Sequence, residues 1–184
     1  FNEFFYQGEG KSKGVEALVQ KKYGDYTGWL SYTWQEVTHQ FDVYGPDFFY
    51  ASHDVNHELK SVNTYQFGDW NFSAVWIYGT GKPYTAPLGG YEISMPDGTM
   101  VDYITIGEKN TFRLPDYHRL DLSAQYKFRM GDLGIGTLGI SLFNVYNRKN
   151  VWYKQFEIIE GEMIETNVEL LGFTPNISFS INLD

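Results

Sequence analysis

The residue types of a hydrolytic triad occur close together at His118, Asp121 and Ser123. A triad works only when the three side chains converge on one point. The surrounding segment alternates between apolar and polar residues, which predicts a β-strand. Side chains along a strand point to opposite faces in turn, so Asp121 and Ser123 face one way and His118 the other. The spacing therefore argues against a hydrolase.

A metal site is the second chemistry to consider, because His53 and His57 lie four positions apart and Asp54 lies between them. On a strand the two histidines would share a face, but a metal site of this kind usually needs ligands from another segment. A polar junction between a loop and a strand is the simpler interpretation. The chain has no Cys, which excludes disulfides and thiol chemistry, and it has no phosphate loop or dinucleotide fingerprint.

Acidic residues are concentrated in the predicted loops. They are Asp97, Asp102, Glu157, Glu160, Glu162 and Glu165. Calcium prefers oxygen ligands, so a calcium site in these loops stays open, although no spaced motif such as D-x-D-x-D-G is present. The formal net charge of -9 excludes a nucleic-acid partner of the usual kind, which requires clustered Lys and Arg.

The predicted strand that contains His118, Asp121 and Ser123 is the most informative segment of the chain. Its two faces are an apolar set, Leu120, Leu122, Ala124, Tyr126 and Phe128, and a polar set, Arg119, Asp121, Ser123, Gln125 and Lys127. The pattern recurs along the chain, and aromatic residues make up 18% of it. An apolar outside rimmed by aromatics around a polar inside is typical of a transmembrane β-barrel. No apolar run approaches the length of a membrane-spanning helix.

Period-two alternation predicts about seven strands and no helix. The strands are 14–23, 26–38, 57–67, 70–79, 117–128, a sixth that runs from about 134 to Tyr146, and 176–183. Short turns are predicted at Gly24–Asp25, Gly68–Asp69 and Gly131–Asp132, and long loops at 39–56, 80–116 and 147–174. This alternation places all short turns on one rim and all long loops on the other, as in outer-membrane barrels. A hairpin of 91–95 and 100–106 is predicted inside the second long loop.

The odd strand number has a consequence, because single-chain bacterial barrels usually have an even number of strands. Either the chain contains a further strand that the alternation does not reveal, or the chain is a piece of a larger barrel. The chain begins at Phe1 without Met, which indicates a mature or fragmentary product whose targeting signal lies elsewhere.

Several motifs follow one another in a fixed order. They are KGVEALVQKKYG, WLSYTW, YGTGKPYT, RLPDYHRLDL and LFNVYNRKN. Together they resemble the C-terminal part of the barrel of a TonB-dependent outer-membrane receptor, over essentially all of residues 1–184. The resemblance implies an antiparallel up-and-down barrel of about 22 strands closed by a plug. This chain would supply about the last seven strands, without the plug domain and the first part of the barrel.

The resemblance also implies transport rather than catalysis, with no catalytic residue and no cofactor. Such a receptor imports a scarce nutrient, such as a siderophore, glycan or peptide, across the bacterial outer membrane. Its partners would be outer-membrane lipid, the remainder of the receptor with its plug, the TonB complex acting through the plug, and, in glycan importers, a surface lipoprotein.

Two residue sets follow from the predicted register. The residues expected to face the lumen are Trp29, Arg119, Asp121, Gln125 and Lys127. The aromatic set expected to face lipid is Trp34, Trp70, Trp76, Tyr78 and Tyr126. Two other interpretations stay open. One is a soluble β-sandwich that binds carbohydrate through its aromatics, and the other is a complete small outer-membrane barrel of about eight strands.

Overall fold

The computed structural model describes residues 6–183, and nearly all of its regular structure is β-strand. The strands are β1 (Gly8–Lys21), β2 (Tyr26–Phe41), β3 (Phe49–Tyr50), β4 (His57–Phe67), β5 (Trp70–Gly79), β6 (Pro83–Tyr84), β7 (Pro87–Ser94), β8 (Met100–Ile106), β9 (Phe112–Arg113), β10 (Tyr117–Arg129), β11 (Ile135–Phe143), β12 (Val151–Ile159), β13 (Glu162–Glu169) and β14 (Thr174–Asn182). Short 3-10 turns occupy Asp42–Tyr44 and Gly131–Leu133. Within residues 6–183, no helix has the length and hydropathy to cross a membrane.

One large antiparallel sheet forms the body of the structure. Its order is β1-β2-β4-β5-β10-β11-β14, and β3 adds to the end of β2. These are the seven predicted strands, so the sequence interpretation of the main sheet is confirmed. Within the described residues β1 and β14 do not pair with each other, and the sheet is therefore open.

Some predicted boundaries are wrong by several residues. β1 begins at Gly8 rather than at 14, and β2 continues to Phe41 to pair with it. The sixth strand ends at Phe143 instead of Tyr146, because Asn144 turns the chain with a φ of 52°. The last strand begins two residues and ends one residue earlier than predicted, at Thr174–Asn182.

The rims of the sheet differ as predicted. Gly24, Gly68 and Gly131 have φ values of 91°, 56° and 63°, conformations that glycine adopts at little cost, and each closes one short turn. The long connections lie at the opposite ends of the strands. The predicted hairpin in the second long loop is confirmed as β7–β8, with its turn closed by Met95 and Thr99. The hairpin β12–β13 in the third loop was not predicted.

The strand register gives the sheet two contrasting faces. We call the side that carries Leu30, Trp76 and Leu122 the apolar face, and the side that carries Ser31, Asn71 and Ser123 the polar face. Ala51 is the one hydrophobic residue buried among those described, so neither face covers a conventional core. Apolar patches of this extent normally mark a surface that contacts another apolar phase.

Aromatic residues of the apolar face form two bands. The band nearer the short turns contains Tyr26, Tyr65, Phe67, Trp70, Phe72, Tyr126, Phe128 and Phe179. The band nearer the long loops contains Tyr32, Trp34, Trp76 and Tyr78. Neighbouring rings pack against each other. The centroids of Trp70 and Tyr126 lie 4.8 Å apart with their planes tilted by 35°, and those of the stacked rings of Trp76 and Tyr78 lie 6.3 Å apart. Mostly aliphatic residues separate the two bands.

Candidate functional site

The residues predicted to face a lumen all lie on the polar face. Trp29 pairs with Val62, Val62 with Val75, and Val75 with Asp121, so one row across four strands joins Trp29 to Asp121. Arg119, Gln125 and Lys127 occupy the same side of β10 as Asp121, because they are separated from it by even numbers of residues. The five aromatic residues predicted to contact lipid occupy the opposite side.

Arg119 and Asp121 form an ion pair on the polar face. The distance from Nη2 of Arg119 to Oδ2 of Asp121 is 3.0 Å, and the guanidinium lies 4.0 Å from the centroid of the Phe143 ring. Nε of Arg119 is buried without a hydrogen-bond partner among the described residues. Stacking on Phe143 and pairing with Asp121 fix the orientation of this cation on the sheet.

Asp121 also anchors the turn that follows β11. Its Oδ1 accepts a hydrogen bond of 2.9 Å from the backbone N–H of Asn144. The fully buried Asn144 side chain accepts from the Arg148 N–H at 3.0 Å and donates to the carbonyls of Arg148 and Leu171 at 2.9 and 3.2 Å. This Asn144 turn therefore links β11 to the third long connection.

A second asparagine continues this connection. The Asn150 side chain donates to the carbonyl of His118 at 3.0 Å and accepts from the His118 N–H at 3.1 Å. Asn150 is 3% exposed. The LFNVYNRKN motif was recognised in the sequence, but the roles of Asn144 and Asn150 were not, because Leu171 and His118 lie 27 and 32 positions away from them.

The triad-like residues do not converge. Nδ1 of His118 lies 2.9 Å from the Tyr146 hydroxyl, whereas Oγ of Ser123 lies 2.7 Å from Oγ of Ser73 on the polar face. The prediction that Asp121 and Ser123 face away from His118 is thus confirmed by the register of β10 against β5.

The histidines of the 53–57 segment also go to different neighbours. Nδ1 of His57 lies 2.8 Å from the Tyr32 hydroxyl, and the His53 ring lies 5.9 Å from the ring of His39. Within residues 6–183, no three acidic, His or Cys side chains come together in a way that could hold a metal ion.

Asp54 of the same segment forms a buried clamp with Arg113. Asp54 has no exposed surface, and it accepts from Nη2 of Arg113 at 2.5 Å, from the Val37 N–H at 2.7 Å and from Nδ2 of Asn56 at 3.1 Å. The Arg113 guanidinium also lies 4.6 Å from the centroid of the Tyr50 ring. We call this group the Asp54–Arg113 clamp, and sequence reasoning missed it.

The outer hairpins approach each other beyond the sheet. A Cβ added at Gly90 of β7 would lie 2.8 Å from the Ile158 side chain of β12, so glycine permits their close contact. Lys154 forms an ion pair with Glu165, and this hydrogen bond raises the pKa of Lys154 above its ordinary value. The rings of Tyr84 and Phe156 stack nearby, with centroids 6.5 Å apart.

Comparison with known protein families identifies the family to which this two-faced sheet belongs. A family model described as TonB dependent receptor-like, beta-barrel, matches residues 1–147. The chain belongs to this family. No curated protein and no solved structure gave a significant match.

Membership of the TonB-dependent receptor barrel family confirms the resemblance drawn from the motifs and the all-β antiparallel fold. It supports a general role in outer-membrane transport and, in general terms, an association with a plug and with TonB.

Proposed function

We propose that this chain forms part of the barrel wall of a TonB-dependent transporter in the bacterial outer membrane. The observation that carries the proposal is the division of one continuous sheet into an apolar face with two aromatic bands and a polar face opposite it. The open sheet, with unpaired edges at β1 and β14 within the described residues, suits a wall segment of a larger barrel. The imported nutrient would be a siderophore, glycan or peptide too large for a porin.

The energetics of the apolar face support contact with lipid. Val19, Ile177 and Phe179 are 72%, 75% and 56% exposed on this face. Covering one such side chain with an apolar phase is worth about 1.5–3 kcal/mol. The seven main strands contain 9 to 16 residues, which meets the roughly 9–11 residues needed to cross a bilayer at a tilt.

The polar face supplies the transport surface. Lumen-facing side chains of plugged barrels contact water, the plug and the passing ligand. The ion pair of Arg119 and Asp121 and the ring of Trp29 are the groups of this face that could meet them. The long connections would capture ligand outside the cell, and TonB would act through the plug rather than on this segment. A surface lipoprotein would assist if the nutrient is a glycan.

Two tryptophans of β2 allow a matched test in the native protein that contains this segment. Trp29 lies on the polar face and Trp34 on the apolar face of the same strand. After reconstitution into vesicles, brominated phospholipids should quench the fluorescence contribution of Trp34. Trp34→Phe should therefore remove a quenched component, and Trp29→Phe should remove an unquenched one.

The same measurement separates the alternatives. A soluble carbohydrate-binding β-sandwich would keep both tryptophans out of reach of brominated lipid, and that result would refute the proposal. The mass of the detergent-extracted native protein separates a receptor from a small complete barrel: a barrel of about 21.3 kDa would exclude the larger receptor.

A further inference from the structure

The apolar face carries a hydrogen-bonded polar cluster beside the aromatic band nearer the short turns. The Tyr26 hydroxyl donates to Oδ1 of Asn63 at 2.5 Å, and Nδ2 of Asn63 donates to Oγ of Ser61 at 2.9 Å. An amide nitrogen carries two hydrogens, and the second hydrogen of Asn63 Nδ2 has no acceptor among residues 6–183. Polar groups that face lipid are costly, so this cluster requires a partner or a use.

An apolar groove of about 390 Å³ begins at this cluster. Its floor is low because Ala74 and Ala124 are small, and its sides carry Phe72, Leu122 and Ile140. Both alanines belong to the apolar face, since Ala74 pairs with Leu122 and Ala124 pairs with Phe72. The residues that line the groove belong to five neighbouring strands, β2, β4, β5, β10 and β11, and the groove is open to the outside of the sheet.

The ammonium group of Lys21 lies on the side of the polar cluster opposite the groove. Lys21, Gly28, Asn63 and Ala74 form one cross-sheet row, because each is the register partner of the next. Nζ of Lys21 donates to the carbonyls of Tyr23 and Tyr26 at 2.9 and 3.0 Å, which holds it beside the short-turn rim. The row thus runs from the ammonium group of Lys21 past the amide of Asn63 to the apolar groove at Ala74.

We propose that this row is a binding site for one glycerophospholipid of the membrane leaflet at the short-turn rim. Lys21 would bind the phosphate, Nδ2 of Asn63 would donate to an ester carbonyl, and an acyl chain would lie over Ala74 and Ala124. The inference rests on the proposed function, because it requires the apolar face to contact lipid. The order of charge, hydrogen-bond donor and apolar groove matches the order of groups along a phospholipid.

The charge of the row favours lipid over a second copy of the chain. A second copy would bring the same apolar face and another Lys21, whereas the phosphate of a phospholipid supplies the opposite charge. The short-turn rim faces the periplasm in outer-membrane barrels, and the leaflet on that side consists of glycerophospholipids. The site is therefore matched to the lipid class expected at that depth.

Native mass spectrometry of the intact receptor, delipidated and then titrated with phosphatidylglycerol, tests the proposal. Lys21→Ala should reduce the bound lipid by about threefold, the effect of one exposed ion pair. Lys22→Ala removes an equal charge next to the row and outside β1, and it should leave lipid binding unchanged. Ala74→Leu should abolish the bound lipid by filling the groove, whereas Val75→Leu on the polar face should not.

Equal lipid binding by all four variants and the parent protein would overturn the site. A species of twice the mass that disappears with Ala74→Leu would also overturn it, in favour of a second copy. Trp34 quenching by brominated lipid, measured on the same variants in vesicles, separates this failure from failure of the proposed function. If Trp34 is quenched but phosphatidylglycerol binding does not depend on Lys21, the lipid site alone is refuted. Retained Trp34 quenching also shows that each variant has folded and inserted.

Discussion

Arg113 and Asp54 belong to two different long connections, 59 positions apart, and meet in an ion pair of 2.5 Å in which Asp54 is completely buried. The pair closes the start of β4 against the end of the 80–116 connection. Because Asp54 also accepts from the Val37 N–H, three segments of the chain are held by one carboxylate. The clamp therefore fixes the rim that carries the long connections.

Asp54→Ala should loosen this rim. The change leaves the Arg113 guanidinium, the Val37 N–H and the Asn56 amide without their acceptor, and breaking a buried pair in this way costs about 3 kcal/mol. Since the Arg113 side chain is 27% exposed and solvent screens part of the interaction, we expect Asp54→Ala to lower the stability of this region by about 2–3 kcal/mol. Trypsin should cleave the 80–116 connection in intact cells after Lys109 or Arg113 much faster than in the parent protein.

The matched control is Glu169→Ala. Glu169 pairs with Lys149 at 3.8 Å, and the two side chains are 38% and 78% exposed, so its loss should not change the cleavage rate. Cleavage of the Asp54→Ala protein at the parent rate would show that the clamp does not hold the connection.

Gly81→Ala should prevent correct assembly of the segment after β5. A Cβ at this position would lie 1.5 Å from the carbonyl oxygen of Leu114, a backbone atom that cannot move aside cheaply. Gly89→Ala is the matched control, because no atom lies within 4 Å of its added Cβ. We expect Gly81→Ala to lower the amount of folded receptor in the outer membrane at least severalfold, measured by heat-modifiable migration on gels. Equal amounts for the two variants would contradict this account.

Asn144→Ala should destabilise the barrel end where β11 stops. The change removes one acceptor and two donors from a fully buried side chain, and alanine adopts a φ near 52° only at a cost. The loss should be about 2–4 kcal/mol of unfolding free energy, measured by urea unfolding in lipid vesicles. Asn176→Ala, at an exposed position of β14, should change it by less than about 0.5 kcal/mol. If both variants unfold at the same urea concentration, the Asn144 turn is not a stabilising element.

The main sheet could be predicted because its information is local. Alternation in β10 places Asp121 and Leu122 on opposite faces whatever the strand pairs with, and the same rule separates Trp29 from Trp34 in β2. Gly24 and Gly68 mark turns by their own backbone preference. Such features need no knowledge of distant segments.

The features that escaped prediction depend on distant partners. Nothing next to Asp54 in the sequence indicates Arg113, and nothing next to Asn144 indicates Leu171. The pattern of β12 and β13 is obscured by polar residues on both faces, including Glu157 and Glu165, because this hairpin lies outside the sheet. Strand ends were also misplaced where a turn begins with Asn rather than Gly, as at Asn144.

Asp97 gives a pH-dependent prediction in the outer hairpin β7–β8. Its Oδ1 accepts from the Thr99 hydroxyl at 2.6 Å and the Thr99 N–H at 3.0 Å, and these bonds hold the pKa of Asp97 below its ordinary value. A depressed carboxyl pKa stabilises the turn above the ordinary pKa, and this contribution is lost as the pH falls through the lowered value. The turn should therefore stay closed at neutral pH and loosen only in acid.

The amide resonance of Thr99 in ¹⁵N-threonine-labelled receptor should report this transition. Its proton shift should move upfield as Asp97 is protonated, with a midpoint below that of an unperturbed aspartate, because the charge-assisted hydrogen bond is then lost. Asp97→Asn should abolish the titration of the Thr99 amide. A midpoint at or above the ordinary aspartate value, or a titration that persists in Asp97→Asn, would show that Asp97 does not close the turn through Thr99.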